Sequence, residues 1–358
     1  MWDRLHRTWC TTQILIYICK NQIDTNITVQ ITVLRDIIQY KEERTQRTLI
    51  MAEEDVVTKI PTTDDITSGL SQVKRTTDGN GWAMSKLDLS EKELTSFGDS
   101  INEFINIRYL NASNNKITDA TNLGKLSNLL ALDVSTNEII SLPEEALEYL
   151  QVCNLSNNKL ENPGFSGGAP ALITLNASNN ALKSLAGGLQ SSTTLTTLNI
   201  SGNPTLTSVA DIGELPALKT LDVSNCGLTS IDGLTNTPCL ETLNIEGNAE
   251  LTNLDGFVDV ETLGSLREIN ASSTGIAEIG EISKLKSLPL LDTIKLTDAP
   301  VSGIDNYAIE MLIVLPKLKM LDEEEITEEQ RQEAKDLIVQ REEEAKAKAE
   351  AEAEEGNE

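Results

Sequence analysis

Histidine is almost absent from this sequence, and the only one among its 358 residues is His6. A histidine-based catalytic or metal centre is therefore excluded from the rest of the chain. Basic residues are also scarce, with 29 Lys and Arg against 56 Asp and Glu, and the net charge is −27. We expect no nucleic-acid ligand, because phosphate binding needs a basic surface.

Aromatic residues make up only 3% of the chain. The apolar run at residues 14–19 is too short to span a bilayer, so we expect no membrane segment. No nucleophile–base pair or glycine-rich phosphate loop is apparent in the sequence. The acidic residues are spread as surface charge. We therefore predict a protein that is not an enzyme, with no catalytic residues, no metal site, no cofactor and no small-molecule substrate.

The cysteines, Cys10, Cys19, Cys153, Cys226 and Cys239, do not form a pattern typical of disulfide-bonded caps. Cys153 occupies a leucine position of a predicted strand, and Cys226 occupies the position that closes another strand. Both are predicted to be reduced core residues. This cysteine usage favours a reducing compartment.

One short frame recurs through most of the chain, and its clearest copy is residues 107–117. It has the form apolar-x-x-L-x-A-x-x-N-x-I, the pattern of a leucine-rich repeat. The position that closes each predicted strand recurs every 21 to 26 residues, most often every 22 or 23. These positions are Lys92, Asn115, Asn137, Asn158, Asn180, Asn203, Cys226, Asn248, Thr274 and Ala299. Ten copies in one register predict a repeat protein.

The frame predicts an α/β fold, a leucine-rich repeat solenoid of about ten repeats. Apolar and polar positions alternate at the end of L-x-x-L-x-L, so a short strand buries one face and exposes the other. Stacked repeats then form a right-handed arc with a concave parallel sheet and short helical turns on the convex side. The closing Asn should turn inward and bond the backbone of the turn. Cys226 can replace it, Thr274 less well and Ala299 not at all, so the last two turns are expected to be looser.

Four segments are predicted. Residues 1–50 are an atypical extension of charge +2, either absent from the native protein, with Met51 as the true start, or a real but poorly ordered segment. Residues 51–83 are an N-terminal cap, with Ile66, Leu70 and Val73 on one face of a short helix. Trp82 is expected to cover the first repeat, and the alternative is that it is an anchor for a binding partner. Residues 84–322 are the solenoid with its C-terminal cap. Residues 323–358 carry a net charge of −10 and form an acidic helical tail, which we expect to be separable from the fold.

The concave face is the candidate partner-binding surface. Its predicted residues are Tyr109, Asn111, Asp133, Asn154, Asn176, Asn199, Asp222, Asn244, Asn270 and Lys295. Interface hot spots favour Trp, Tyr and Arg, and Tyr109 is the only aromatic residue in this set. The face is either a docking trough for a helix or extended segment or simply a solvated sheet surface. Several of these asparagines begin Asn-x-Ser sequences, which we interpret as products of the repeat pattern and not as glycosylation sites.

Both ends of the solenoid resemble a known family. Gly69-Leu-Ser71 with Gly79-Asn-Gly81, the first repeat at residues 86–94, and Leu-Pro-Lys-Leu-Lys-Met-Leu-Asp at residues 315–322 are similar to the leucine-rich repeat subunits of radial spokes in motile cilia and flagella. The resemblance implies a non-enzymatic structural subunit in the head region of the third spoke. It also implies other radial spoke subunits as partners, especially spoke-head proteins, and a place in the cytoplasm and in the axoneme.

Two other functions remain open. A regulatory subunit of a protein phosphatase, or another cytosolic adaptor, also uses 22-residue repeats, but it would bind through aromatic and acidic concave residues that are scarce here. A secreted receptor-type domain is opposed by the missing disulfide caps.

Overall fold

The computed structural model describes residues 58–258 and 261–355, and the predicted extension at residues 1–50 lies outside them. A thirteen-stranded sheet contains strands that follow one another in chain order. The strands are β1 (Leu70–Arg75), β2 (Trp82–Asp88), β3 (Tyr109–Asn111), β4 (Ala131–Asp133), β5 (Val152–Asn154), β6 (Thr174–Asn176), β7 (Thr197–Asn199), β8 (Thr220–Asp222), β9 (Thr242–Asn244), β10 (Glu268–Asn270), β11 (Thr293–Lys295), β12 (Met320–Leu321) and β13 (Glu324–Glu325). The predicted leucine-rich repeat solenoid is confirmed.

Strands β2 to β12 are parallel, and each pairs with its neighbour in register. In each three-residue strand the middle side chain is buried and its neighbours are exposed or half-buried. Leu110, Leu132 and Cys153 therefore lie one above the next inside the stack. Each fully buried leucine contributes roughly 1.5–3 kcal/mol relative to an exposed one. A single repeat has no neighbour to bury this face, which is why the fold needs the stack.

A residue with positive φ follows almost every strand of the solenoid and reverses the chain. Asparagine tolerates this left-handed conformation better than most residues with a Cβ. The φ angles are 57° at Asn114 and 53° at Thr136, where a β-branched residue is unusual. Two turns, which contain Gly202-Asn203 and Gly247-Asn248, are one residue longer than the others. In these turns Gly202 and Gly247 have the positive φ. Other non-glycine members include Glu91, Asn157, Asn179, Asn225, Ser273 and Asp298.

The convex side contains short turns and 3₁₀ helices, as predicted. The 3₁₀ segments include Ser100–Glu103, Thr121–Lys125, Leu234–Asn236, Asp255–Phe257, Ser283–Ser287 and Pro300–Gly303. Leu123 and Leu126, which the repeat spacing places on this side, are fully buried. Phe257 is also fully buried and belongs to the core.

The N-terminal end begins with helix α1 (Thr63–Gly69), in which Thr62 and Asp65 form a reciprocal capping box. The prediction that this helix continues through Leu70 and Val73 is wrong, since residues 70–75 form β1, antiparallel to β2. The open edge of β2 offers backbone partners that a helix could not use, and this tertiary pairing overrides a short periodic pattern. The prediction that Trp82 covers the first repeat is also wrong, because Trp82 is 71% exposed.

Three further helices lie near the C-terminal end: α2 (Ile279–Ile282), α3 (Tyr307–Val314) and α4 (Glu328–Glu355). Helix α3 buries Ile309, Met311 and Leu312 against the last repeats. Helix α4 begins with a capping box, in which Thr327 and Gln330 exchange hydrogen bonds of 2.9 and 3.2 Å. The acidic tail therefore starts as a defined helix.

Candidate partner-binding surfaces

The closing asparagines join successive repeats. Asn137 Nδ2 donates to the carbonyl oxygens of Val134 and Ser135 in its own repeat, at 3.0 and 3.2 Å, and to that of Ala112 in the preceding repeat, at 2.9 Å. Its Oδ1 accepts from the backbone nitrogen of Ile117 at 3.0 Å. The same arrangement occurs at Asn115, Asn158, Asn180, Asn203 and Asn248. This asparagine ladder satisfies buried backbone groups that would otherwise destabilise the stack.

Two departures from asparagine follow the two longer turns. In a regular turn, the backbone N–H two residues after the closing position donates to the next asparagine. In the longer turns, Leu206 and Leu251 donate instead to the carbonyls of Asn203 and Asn248, both at 3.0 Å. The side chain that closes the following repeat therefore cannot accept a hydrogen bond from this backbone nitrogen. The repeats that follow these turns are closed by Cys226 and Thr274.

Cys226 and Thr274 retain only part of the bonding of the ladder. Cys226 Sγ lies 3.4 Å from the Ile200 carbonyl, and Thr274 Oγ1 donates to the Ala271 carbonyl at 2.7 Å. The backbone nevertheless keeps its left-handed residues next to Thr274 and Ala299. That the last two turns are looser stays a prediction.

The predicted concave residues are largely occupied by local hydrogen bonds. Asp133 Oδ1 accepts from the backbone nitrogen and the hydroxyl of Ser135, at 2.9 and 2.6 Å. This side-chain turn shapes the chain as it leaves the strand. Eight other members of the row use a side-chain oxygen in the same way, to accept from the backbone nitrogen two residues later in the chain. They are Asp88, Asn111, Asn154, Asn176, Asn199, Asp222, Asn244 and Asn270. The Asn-x-Ser pattern thus has a structural cause.

Two members of this row carry further charge interactions. Burial alone would raise the pKa of Asp88, but the hydrogen bonds from Ser90 outweigh it and hold that pKa below its usual value. Lys295, at the other end of the row, pairs with Glu323 at 3.1 Å. The row supplies small, internally bonded polar groups. That it binds a partner stays a prediction.

Apart from Tyr109, sequence reasoning missed the other row of the same face. It consists of the first residue of each strand and, on β2, its registered neighbour: Lys86, Tyr109, Ala131, Val152, Thr174, Thr197, Thr220, Thr242, Glu268 and Thr293. Side chains two residues apart in a strand point to the same side of the sheet. The row could therefore have been predicted from the sequence, two residues before each Asp or Asn of the predicted row. A hollow of about 220 Å³ lies between Tyr109, Ala131, Val152 and Asn154.

Helix α4 is joined to the repeats over its first part only. Arg331 donates to the carbonyl oxygens of Pro316 and Leu318, at 3.1 and 2.7 Å, and so covers exposed carbonyls of the last repeat. Ala334 is buried, and Arg341 pairs with Glu310 on α3. Every residue from 342 to 349 is exposed. The helix therefore leaves the solenoid as an acidic arm.

The core cysteines are not reactive groups. Burial raises the pKa of the Cys153 thiol far above its usual value and that of Cys226 to about 11. Cys239 is exposed. No group of His, Cys, Asp or Glu side chains within the described part of the chain is placed to hold a metal ion. Among the same residues, no helix has the length and hydropathy needed to cross a bilayer.

Comparison with known proteins shows that the chain is similar to leucine-rich repeat proteins and, over most of its length, to proteins of one name. A family model described as leucine-rich repeat matches residues 206–351, which includes the last repeats and most of α4. Leucine-rich repeat-containing protein 23 from Homo sapiens is 34% identical, with 78% of this chain and 80% of that protein covered. The protein of the same name from Bos taurus is 32% identical, with 77% and 80% covered.

Solved structures agree on the fold. The mouse RP105/MD-1 complex contains a chain that superposes with a TM-score of 0.53 at 22% identity, over 66% of this chain and 42% of that one. This likeness concerns the solenoid alone.

Proposed function

Because the chain belongs to the family of leucine-rich repeat-containing protein 23, we propose that it is a structural, protein-binding subunit of the radial spokes of motile cilia and flagella. Its place is the head region of the third spoke, in the axoneme. Its partners are other spoke subunits, chiefly spoke-head proteins. It performs no chemistry, and its role is to hold neighbouring subunits in position while the axoneme bends.

The observation that carries this proposal is the identity of 34% to the human protein across 80% of its length. A match confined to generic leucine positions would favour any leucine-rich repeat protein equally. Here the match to the human protein covers 78% of this chain as well as 80% of that protein.

The architecture suits a mechanical role. Each repeat is bonded to the next through backbone pairs and, over much of the stack, through the asparagine ladder. Deforming such a stack means breaking buried hydrogen bonds, each of which leaves an unsatisfied group that costs about 1–3 kcal/mol. In this proposal residues 84–322 are the scaffold, residues 51–83 its N-terminal cap and residues 323–358 an acidic arm that contacts a basic partner surface.

Affinity purification from detergent-extracted axonemes tests the proposal. The tagged chain is expected to recover spoke-head subunits, and the same preparation from untagged cells is the control. Recovery of a protein phosphatase catalytic subunit in their place would favour a regulatory subunit of that enzyme. Absence of the tagged chain from washed axonemes would contradict the spoke assignment altogether.

A further inference from the structure

We infer that the N-terminal end of the concave face is a docking surface for an acidic segment of another protein that presents aromatic or aliphatic side chains. The surface, called here the N-terminal patch, consists of Val73, Trp82, Met84, Tyr109 and Val152. The inference rests on the proposed role as a protein-binding subunit, but not on its location in an axoneme.

Strand register places these five side chains on one side of the sheet. Val73 lies directly opposite Met84 in the β1–β2 pair, so both point to the same side. Trp82 and Met84 are exposed and alternate along β2 with half-buried Ala83 and buried Ser85. Lys86, two residues on, is in register with Tyr109, and the same row leads through β4 to Val152. The patch thus extends from the hairpin across the hollow beside Tyr109.

The patch is not needed to close the solenoid. The opposite side of β2 does that, where Ser85 and Leu87 are buried. Val73 is 55% and Val152 48% exposed. Further along the same row, from β6 onward, most positions are threonine. Apolar side chains are therefore concentrated at one end of a face that is otherwise polar, and such concentrations mark interaction sites.

Three cations border the patch: Arg75, Lys86 and Arg108. Arg75 lies opposite Trp82, and Arg108 Nη2 donates to the Arg75 carbonyl oxygen at 2.8 Å, which holds the Arg108 guanidinium at this edge. None of the three makes a salt bridge with any residue that the structure describes. Some repeat lysines elsewhere do so, as in Lys125–Glu145, Lys159–Glu138, Lys183–Glu161 and Lys219–Glu241.

The acidic groups nearest the patch are already engaged. Asp88 interacts with Lys86 through space and accepts hydrogen bonds from Ser90. Asp133 is bonded by Ser135 and by Asn154. The chain has 56 acidic and 29 basic residues, and three of its cations lie around exposed aromatic side chains without a salt bridge to any residue that the structure describes. Their positive charge is available to a partner.

This chemistry defines the partner. Trp, Tyr and Arg are the residues that most often dominate binding energy, and the hollow beside Tyr109 can receive one apolar side chain. The cations favour carboxylates around that anchor. A second copy of this chain is opposed by mutual repulsion between two molecules of charge −27. Nucleic acid would meet the same repulsion.

Peptide display tests the inference without an identified partner. A library of random linear peptides is selected on the purified full-length chain, and each selected peptide is measured against variants by fluorescence anisotropy. We expect selected peptides to be acidic with an aromatic or aliphatic anchor. Trp82→Ala or Tyr109→Ala should weaken their binding by about tenfold or more, and Lys86→Glu should weaken it most at low salt.

Tyr149→Ala is the matched control, because Tyr149 is an exposed aromatic residue outside the patch. Circular dichroism checks that every variant is folded. The inference is overturned if no peptide is selected, if selected peptides lack acidic bias, or if the patch variants bind them as the control does. It is also overturned if light scattering detects self-association that Trp82→Ala abolishes, since a second copy then occupies the patch. Failure of the axonemal purification would leave this result unaffected.

Discussion

Asn137 Oδ1 accepts a hydrogen bond from the backbone nitrogen of Ile117, 3.0 Å away in the preceding repeat. The Nδ2 atom of the same side chain reaches the carbonyl of Ala112, also in that repeat. One amide therefore satisfies the buried Ile117 donor, which the preceding repeat cannot satisfy by itself, and adds a second hydrogen bond to the Ala112 carbonyl that Asn115 also reaches. The stack depends on such side chains as well as on its leucines.

Asn137→Ala should lower the free energy of unfolding by about 2–3 kcal/mol, because it leaves the buried backbone N–H of Ile117 without a partner and removes one hydrogen bond from each of three carbonyl oxygens. Chemical denaturation followed by circular dichroism measures the change. Gln190→Ala is the control, since it removes an exposed amide, and it should change stability by no more than about 0.5 kcal/mol. Equal effects of the two substitutions would show that the ladder does not stabilise the stack.

Cys226→Ala should cost clearly less than Asn137→Ala, about 1 kcal/mol. The backbone nitrogen of Leu206 keeps its bond to the Asn203 carbonyl whichever residue stands at position 226. Only the contacts of a small buried sulfur are lost. The same denaturation experiment compares the two substitutions. A loss at Cys226 as large as that at Asn137 would refute the link between turn length and closing residue.

Removing residues 342–358 should leave stability within about 0.5 kcal/mol of the full chain, since residues 342–349 have no buried side chain. Removing residues 323–358 should lower it by roughly 3–5 kcal/mol, because Ile326 and Ala334 belong to the core and Arg331 covers carbonyls of the last repeat. Thermal and chemical unfolding of both truncations provide the test. We therefore expect only the end of the tail, residues 342–358, to be removable without loss of stability. Equal stabilities of the two truncated proteins would contradict this division.

Maleimide labelling at neutral pH should modify Cys239 rapidly and leave Cys153 and Cys226 unmodified in the folded protein. The thiolate is the reactive form, and burial raises the pKa of both core thiols. Peptide mapping by mass spectrometry gives the extent at each site. Denaturation with guanidinium is the control, after which Cys153 and Cys226 should react as well. Labelling of Cys153 under native conditions would show that its repeat opens readily.

The repeats themselves were predictable because their period is redundant. Leucines, closing asparagines and spacing all indicate the same register, so an irregular member such as Cys226 does not obscure it. The hairpin was not predictable in this way. Leu70 and Val73 suit one face of a helix, and β1 becomes a strand only because β2 offers an unpaired edge. That edge is a property of the assembled sheet, absent from the local sequence.

The candidate surface was predicted only in part. Tyr109 was identified because an aromatic residue is conspicuous in a polar face. Ala131 and Val152 lie in the same exposed row, but small apolar residues in a repeat protein resemble core positions. Trp82 is predicted to cover the first repeat because the uncovered end of a solenoid exposes leucines. Only the register of the strands shows that these side chains share one exposed side with Tyr109.

The pairing of each turn with the residue that closes the following repeat has a consequence for how such a protein can be lengthened or shortened. A segment cut from strand to strand would separate the Asn203 turn from Cys226. A duplication copied from the middle of one turn to the middle of another would create the same mismatch. Insertions that preserve function should therefore begin and end at points that keep every turn together with the residue that closes the next repeat. The unit that can be added or removed is thus offset from the repeat counted from strand to strand.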